Sequence, residues 1–332
     1  MRPALHLAND QRSTAPTLEA WRTNLTGTDQ DLGRIITTIA KASIPLADRL
    51  ALGYLTGNPA EIVGLNDSGD PQKAMDVAAH DHLMSELATC SIHSVLSEEA
   101  EDVILLDPIA PFSIAIDPID GSGSIGIGAP LGLLFCVFPS EGGFLRSGRD
   151  IVAAGYVSFG HSIDMSFSIG GTILSATFDR DADEFRITNT DLRLPETSST
   201  IAYNASNVQF WPQGLQDYIS DCLAGKDGPR GRQFNMRWLA AAVGEFHRIM
   251  WRGGIFLYPA DNRDGYQNGR LRLSYEAFPI AYLIEKAGGA ATDGTTAILD
   301  RTPQSLHENT SLIFGNSAEV ATLQDYLTPN SR

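Results

Sequence analysis

Four groups of acidic residues, far apart along the chain, stand where structural elements are expected to begin or end. Asp70 and Asp76 open a helix in "GDPQKAMD", and Glu98 and Glu99 follow the strand-like "SIHSVLS". Asp117 and Asp120 close "FSIAIDPID", and Glu276 opens a helix after "GRLRLS". No His or Cys stands immediately beside them, and sets made only of carboxylates are the ligands of hard cations such as Mg²⁺ or Mn²⁺. Packed together without a cation, they repel and raise one another's pKa. Around two or three divalent ions they can polarise a phosphoryl group, activate a water and neutralise a departing oxygen.

The segment "DPIDGS" adds geometry. Asp117 at a strand end and Asp120 one turn later can face a common ion, with Pro118 fixing the bend. Gly121, Ser122 and Gly123 follow, offering backbone N–H groups as a nest for a phosphate. Taken singly, these features have plainer readings. Asp70 before Pro71 reads as a helix N-cap, Glu98-Glu99 as a solvated turn, and "GSGSIGIG" lacks the helix that a dinucleotide fingerprint needs. Their joint occurrence at element boundaries favours a site. Arg237, Arg270 and Arg272 are candidate phosphate ligands, because a planar guanidinium binds two phosphoryl oxygens at once. Asn204, Tyr258 and Tyr275 are candidate amide or hydroxyl donors.

The elements that must position these groups come next. The 332 residues are 43% hydrophobic and 19% charged, the composition of an ordinary globule. The formal charge of −16 argues against a broad nucleic-acid surface, though not against a small phosphorylated ligand. No apolar run approaches the roughly 20 residues of a membrane span. Residues 1–17 read as a loose polar arm without a signal-peptide core, so the cytoplasm is expected. The three cysteines, Cys90, Cys136 and Cys222, lack zinc spacing and read as buried, quiet thiols.

Helical spacing over 28–52 begins with a Thr28-x-x-Asp31 capping box, with Pro45 kinking or ending the helix. Residues 57–69 read as a polar loop, and 71–88 as a helix with Asp70 as N-cap and Pro71 at its first position. From 91 to 188 short β-branched and aromatic runs predict strands. Beyond the loop at 194–199 comes "TIAYNAS", then helices at 213–223 and 236–250, the strand "GIFLYP", a helix at 275–286, the strand "SLIFGN" and a closing helix. A layered α+β architecture follows, with residues 1–197 and 198–332 as two domains.

Read together, "GDPQKAMD", "SEE", "DPIDGS", "GIFLYPAD" and "GRLRLSYEAFPIAYLIEKAGGAATDG" resemble class I fructose-1,6-bisphosphatase, in order and across nearly the whole chain. "NASN…WP" and "GPRGRQFNMRW" are similar to its bacterial, Calvin-cycle-like branch. The resemblance implies a layered αβαβα sugar-phosphatase fold with mixed sheets and Mg²⁺-dependent hydrolysis of the 1-phosphate of fructose 1,6-bisphosphate. It implies Glu98, Asp117, Asp120, Glu276 and the Ile119 carbonyl as ligands of two or three Mg²⁺ (or Mn²⁺) ions per subunit, and Asp70 as part of a further metal site. Asp76 and Glu99 would orient and deprotonate the attacking water. Gly121 and Ser122 would hold the 1-phosphate beside Arg272, and Asn204, Tyr258 and Arg270 the sugar and its distal phosphate. Arg237 would come from a neighbouring subunit, hence a homotetramer.

Departures from the family pattern accompany the match. Gly123, Ser124 and Gly126 replace a serine, an asparagine and an aspartate of the usual loop. Trp238 and Asn207 stand where some members have tyrosines, and Pro111 and Phe112 where animal enzymes use a Lys-Tyr pair to bind AMP, so AMP inhibition is expected to be weak or absent. Sedoheptulose bisphosphate remains an alternative or additional substrate. A non-catalytic sugar-phosphate-binding protein is the contrasting class, favoured only by the altered loop.

Overall fold

The computed structural model describes residues 13–65 and 71–328, with residues 5, 8 and 11 in isolation. Two helices open it, the short α1 (Leu18–Thr23) and the long α2 (Thr28–Ala51). A hairpin of β1 (Ile62–Leu65) and β2 (Pro71–Lys73) then leads into α3 (Ala74–Leu87). Eight strands follow: β3 (Ile92–Ser97), β4 (Ile104–Leu105), β5 (Phe112–Asp120), β6 (Leu131–Pro139), β7 (Ala153–Phe159), β8 (Ile163–Ser168), β9 (Leu174–Asp179) and β10 (Glu184–Asn189). They form one sheet in the order β10-β9-β8-β7-β6-β5-β3-β4, antiparallel throughout except for the parallel pair β3 and β5.

After residue 199 come β11 (Thr200–Tyr203), α4 (Gln213–Leu223), β12 (Asn235–Met236), α5 (Ala242–Arg252), β13 (Ile255–Tyr258) and β14 (Leu271–Arg272). A wide π-helical turn, Leu273–Ala277, runs into α6 (Phe278–Lys286), followed by β15 (Gly289–Thr292), β16 (Asn309–Thr310), β17 (Leu312–Asn316) and α7 (Ser317–Leu327). Five of these strands make a second, mixed sheet in the order β12-β11-β13-β17-β15.

Strand alternation dictates how the layers stack, because successive side chains leave opposite faces of a sheet. On β6, Leu131, Leu133, Phe135 and Val137 join α2 and α3 in one core, whereas Leu134, Cys136 and Phe138 join α5 and α6 in another. On β13, Phe256 enters that same second core, while Ile255 and Leu257 meet α4 and α7 in a third. The result is five layers: helices, eight-stranded sheet, α5 with α6, five-stranded sheet, and α4 with α7. The middle layer touches both sheets. This is the layered α+β arrangement expected from the sequence.

Several local expectations are corrected. Pro45 does not end α2, which continues to Ala51. Pro45 is exposed, so the Lys41 carbonyl it leaves unbonded faces water. The helix starts from Gly27 without a side-chain cap, so Thr28 does not build a capping box. Pro71 begins a strand rather than a helix, and α3 starts only after Lys73. The expected loop at 57–69 contains β1. Met236 lies on the edge strand β12, and the following helix begins at Ala242. The end of the N-terminal arm is held, since Arg186 Nη1 donates to the Ala15 carbonyl at 3.0 Å and Ile187 N–H to that of Pro16 at 2.9 Å. All three cysteines are buried and free. Burial alone pushes the Cys136 thiol well up, and burial is the largest cause holding Cys222 at about 11.

Candidate active site

Asp117 and Asp120 illustrate how a fold edits a sequence spacing. Residues three apart on a regular strand leave opposite faces. Here β5 continues through the whole "DPID", and its register against β6 shifts, Asp117 facing Leu134 and Asp120 facing Gly132. One extra residue in β5 makes a β-bulge, which returns both carboxylates to one face. Pro118 is tolerated there because a bulge needs no ladder N–H from it. The Ile119 N–H donates to Asp117 Oδ1 at 2.9 Å and locks the bulge. That face is the one occupied by α5 and α6, since Ala115 on the same parity lies in the middle core.

Both middle-layer helices begin at this point. The Val243 N–H, in the first turn of α5, donates to Asp120 Oδ2 at 2.5 Å, placing a carboxylate on a positive helix end. Glu276 lies on the π turn before α6 and accepts a short hydrogen bond from the Arg272 backbone N–H. Asp117, Asp120 and Glu276 thereby bring carboxylate oxygens within 4.8 Å of one another, all three buried. Glu98, just past β3, is close enough to be hydrogen-bonded to Asp117.

The electrostatics of this group are those of a cation site. Burial first, then Glu98, Asp120 and Glu276, hold Asp117 well above the ordinary carboxylate range. Burial followed by Glu98 and Asp120 does the same for Glu276. Burial pushes Glu98 up to about 7 and Asp120 to about 6, the latter despite the Val243 N–H. Asp76, buried in the first turn of α3, is pushed up to about 6 by burial and by Glu99. Its Oδ2 accepts from the Lys73 N–H at 3.1 Å, while its Oδ1 is buried without a partner. Oxygen-only donors, mutual repulsion and an orphaned carboxylate oxygen all fit divalent cations, which remove the reason for the raised pKa values.

A stability consequence follows. Asp76, Asp120 and Glu98 have folded-state pKa values above those of an unfolded chain. Between about pH 4 and about pH 7 the cation-free folded state therefore binds more protons than the unfolded state, and this contribution falls as pH rises. The melting temperature in EDTA, compared with that in excess Mg²⁺, is expected to fall progressively further behind between about pH 5 and about pH 8. Thermal melts across that range check it, and a constant difference would exclude the cluster as its source.

Of the other expected residues, Gly121 and Arg272 hydrogen-bond to the carboxylates through their backbone N–H groups, and Glu99 acts on Asp76 and Glu98. Gly121 adopts φ +83°, and a Cβ there would come 2.7 Å from that of Ala241, so glycine is required twice over. Ser122, Gly123 and Ser124 form a 3₁₀ turn whose leading amides have no carbonyl within the turn to bond. Arg272 is buried and donates from Nη1 to Asn309 Oδ1 at 2.7 Å and to the His307 carbonyl at 3.2 Å. Glu99 accepts from Gln72 Nε2 at 2.7 Å. Tyr258 is half-buried on β13, beside Trp238, which stacks on Phe256 with centroids 5.8 Å apart. Arg270 is exposed. Asn204 caps the 3₁₀ turn after β11, taking the Ser206 N–H at 3.1 Å. Arg237 is exposed just past edge strand β12. Tyr275 is buried, and its hydroxyl is partnered by His307 Nδ1 at 3.0 Å. Asp70 falls outside the described residues.

Sequence reasoning missed four supporting groups. Lys73 Nζ makes a short hydrogen bond to the Ser122 carbonyl, tying β2 to the glycine turn. Gln72 orients Glu99, Asn309 orients Arg272, and His307 bridges Tyr275 to the Glu101 carbonyl at 3.0 Å. Lys73 and Gln72 lie inside a motif already singled out, whereas Asn309 and His307 carry no local signal. A cavity of about 570 Å³ also touches His307 and Asn309, but none of Asp76, Glu98, Asp117, Asp120 and Glu276 lines it.

Comparison with known proteins agrees with this geometry. The family models described as the fructose-1-6-bisphosphatase N-terminal and C-terminal domains match residues 23–190 and 194–328. Class 1 fructose-1,6-bisphosphatases of Brucella suis and Brucella abortus are 45% identical over 329 residues, covering 98% of this chain and 97% of theirs. The holo structure of Leishmania major fructose-1,6-bisphosphatase superposes with a TM-score of 0.87 at 25% identity, covering 95% of this chain and 99% of that one. With both halves matched and near-complete coverage, the chain belongs to the fructose-1,6-bisphosphatase family.

Proposed function

We propose that the protein hydrolyses the 1-phosphate ester of D-fructose 1,6-bisphosphate, giving fructose 6-phosphate and inorganic phosphate, at the buried carboxylate cluster. The observation that carries this reading is the meeting of Asp117, Asp120 and Glu276 within 4.8 Å, beside Arg272, in a chain aligned end to end with class 1 fructose-1,6-bisphosphatases. Glu98, Asp117, Asp120, Glu276 and the Ile119 carbonyl would hold two or three Mg²⁺ or Mn²⁺ ions, with Asp70 serving a further one. Divalent cations in such a site polarise a phosphoryl group and lower the pKa of the attacking water.

The chain's own groups divide the remaining work. Asp76 and Glu99 orient the water and take its proton, for which the unpartnered Asp76 Oδ1 is an available acceptor. Amides of Gly121, Ser122 and Gly123 hold the phosphoryl oxygens, and Arg272 stabilises the charge that develops on them. Asn204, Tyr258 and Arg270 hold the sugar and its second phosphate. Arg237, exposed beyond an edge strand, reaches the site of a neighbouring subunit in a homotetramer. Residues 1–197 then supply most of the carboxylates and 198–332 the sugar-binding groups. Among the described residues no helix is long and apolar enough to cross a membrane, and we place the enzyme in the cytoplasm.

The test is phosphate release from fructose 1,6-bisphosphate. It is expected with Mg²⁺, lost in EDTA and restored by added Mg²⁺. Release that is indifferent to EDTA defeats the metal assignment, and no release under any condition defeats the reaction.

A further inference from the structure

The connection between β13 and β14 is a built turn centred on Tyr266. The Ala260 N–H donates to Ser311 Oγ at 2.7 Å, and the Tyr266 carbonyl accepts from the Asp261 N–H at 3.1 Å and the Gly269 N–H at 3.0 Å. The Tyr266 N–H itself donates to the Arg263 carbonyl at 3.1 Å. Gly269, at φ +82°, has no room for a Cβ, which would lie 2.3 Å from the Thr310 backbone. The turn is therefore fixed at both ends and at its centre.

Two guanidinium groups lie within cation–π reach of the Tyr266 ring, Arg263 at 4.0 Å from its centroid and Arg270 at 5.1 Å. They are not equivalent. Arg263 grips both oxygens of buried Asp261 at 2.6 to 3.1 Å and also lies over Phe210 at 5.0 Å, so its charge is locally neutralised. Arg270 is exposed. Tyr258 faces the same space: after burial, Tyr266 is the largest cause raising its hydroxyl pKa, and Arg270 and Glu276 also act on it. A sugar phosphate bound at Tyr258 would thus lie near Glu276 of the carboxylate cluster and near Tyr266 with Arg270.

We infer that Tyr266 is a specificity-determining residue, its ring steadying Arg270 and its hydroxyl donating to the phosphate of the bisphosphate that is not hydrolysed. This rests on the reading given under Proposed function. Tyr266 takes no part in the bond-breaking step, so its loss changes binding rather than turnover.

The experiment compares the wild-type protein with Tyr266→Ala and Tyr266→Phe. Tyr266→Ala is expected to raise KM for fructose 1,6-bisphosphate about 10-fold with kcat within about 2-fold, the mark of a binding interaction common to ground and transition states. Inhibition by fructose 6-phosphate should weaken in parallel, while inhibition by inorganic phosphate alone stays unchanged. Tyr266→Phe keeps the ring and removes only the hydroxyl, and is expected to raise KM about 3-fold. An unchanged KM in Tyr266→Ala overturns the inference. So does a kcat loss that matches the KM change, or equal weakening of both inhibitors, since either marks a merely structural role. A wild-type protein that releases no phosphate instead overturns the underlying reaction, and the two failures are thereby told apart.

Discussion

Asp117→Asn is expected to cut turnover at saturating Mg²⁺ by about 10³-fold, equivalent to about 4 kcal/mol of transition-state stabilisation. The substitution is nearly isosteric, and the amide oxygen can still accept the Ile119 N–H that locks the bulge. What disappears is one negative charge from the group Glu98, Asp117, Asp120 and Glu276. In EDTA the variant should therefore melt no lower than the wild type, because like-charge repulsion with Glu98, Asp120 and Glu276 is relieved. Loss of activity with retained cation-free stability separates a ligand from a scaffold residue. Steady-state kinetics and melts on one preparation check both halves, and wild-type turnover in the variant would remove Asp117 from the reaction.

Arg272→Lys is expected to lower kcat by about 100-fold, even though the charge is kept. Arg272 Nη1 donates to Asn309 Oδ1 and to the His307 carbonyl while its charge acts on Glu98 and Glu276. A lysine ammonium reaches only part of that set and presents no flat face to a phosphoryl group. If kcat in Arg272→Lys stays within about twofold of wild type, a point charge suffices and the guanidinium geometry has no role.

Much of the site was legible because its chemistry is written in residue types. Seven acids without adjacent His or Cys, a glycine turn and the arginines of "GRLRLS" name a class of ligand before any fold is known. The bulge was not legible: the D-x-x-D spacing reads as a turn, while the structure keeps both aspartates inside β5 and changes the register instead. Pro45 and Pro71 misled for a related reason. A proline reports a missing N–H, and whether that matters depends on exposure and strand edges that tertiary structure decides. Asn309 and His307 were invisible because their contacts to Arg272 and Tyr275 span more than thirty residues. Tyr266 was passed over because aromatic residues in loops are ordinary, and only the placement of two guanidinium groups makes this one informative.

The middle layer has an effect on assembly. An intermediate holding only the eight-stranded sheet owns Glu98, Asp117 and Asp120 but neither Glu276 nor the α5 amide that supports Asp120. Such a species has three acids crowded at the ends of β3 and β5 and nothing to finish the cage. The cation site proposed above would be complete only once α5 and the turn before α6 dock on that sheet. Ion uptake during refolding would then count completed molecules, and half-made ones would stay silent to it.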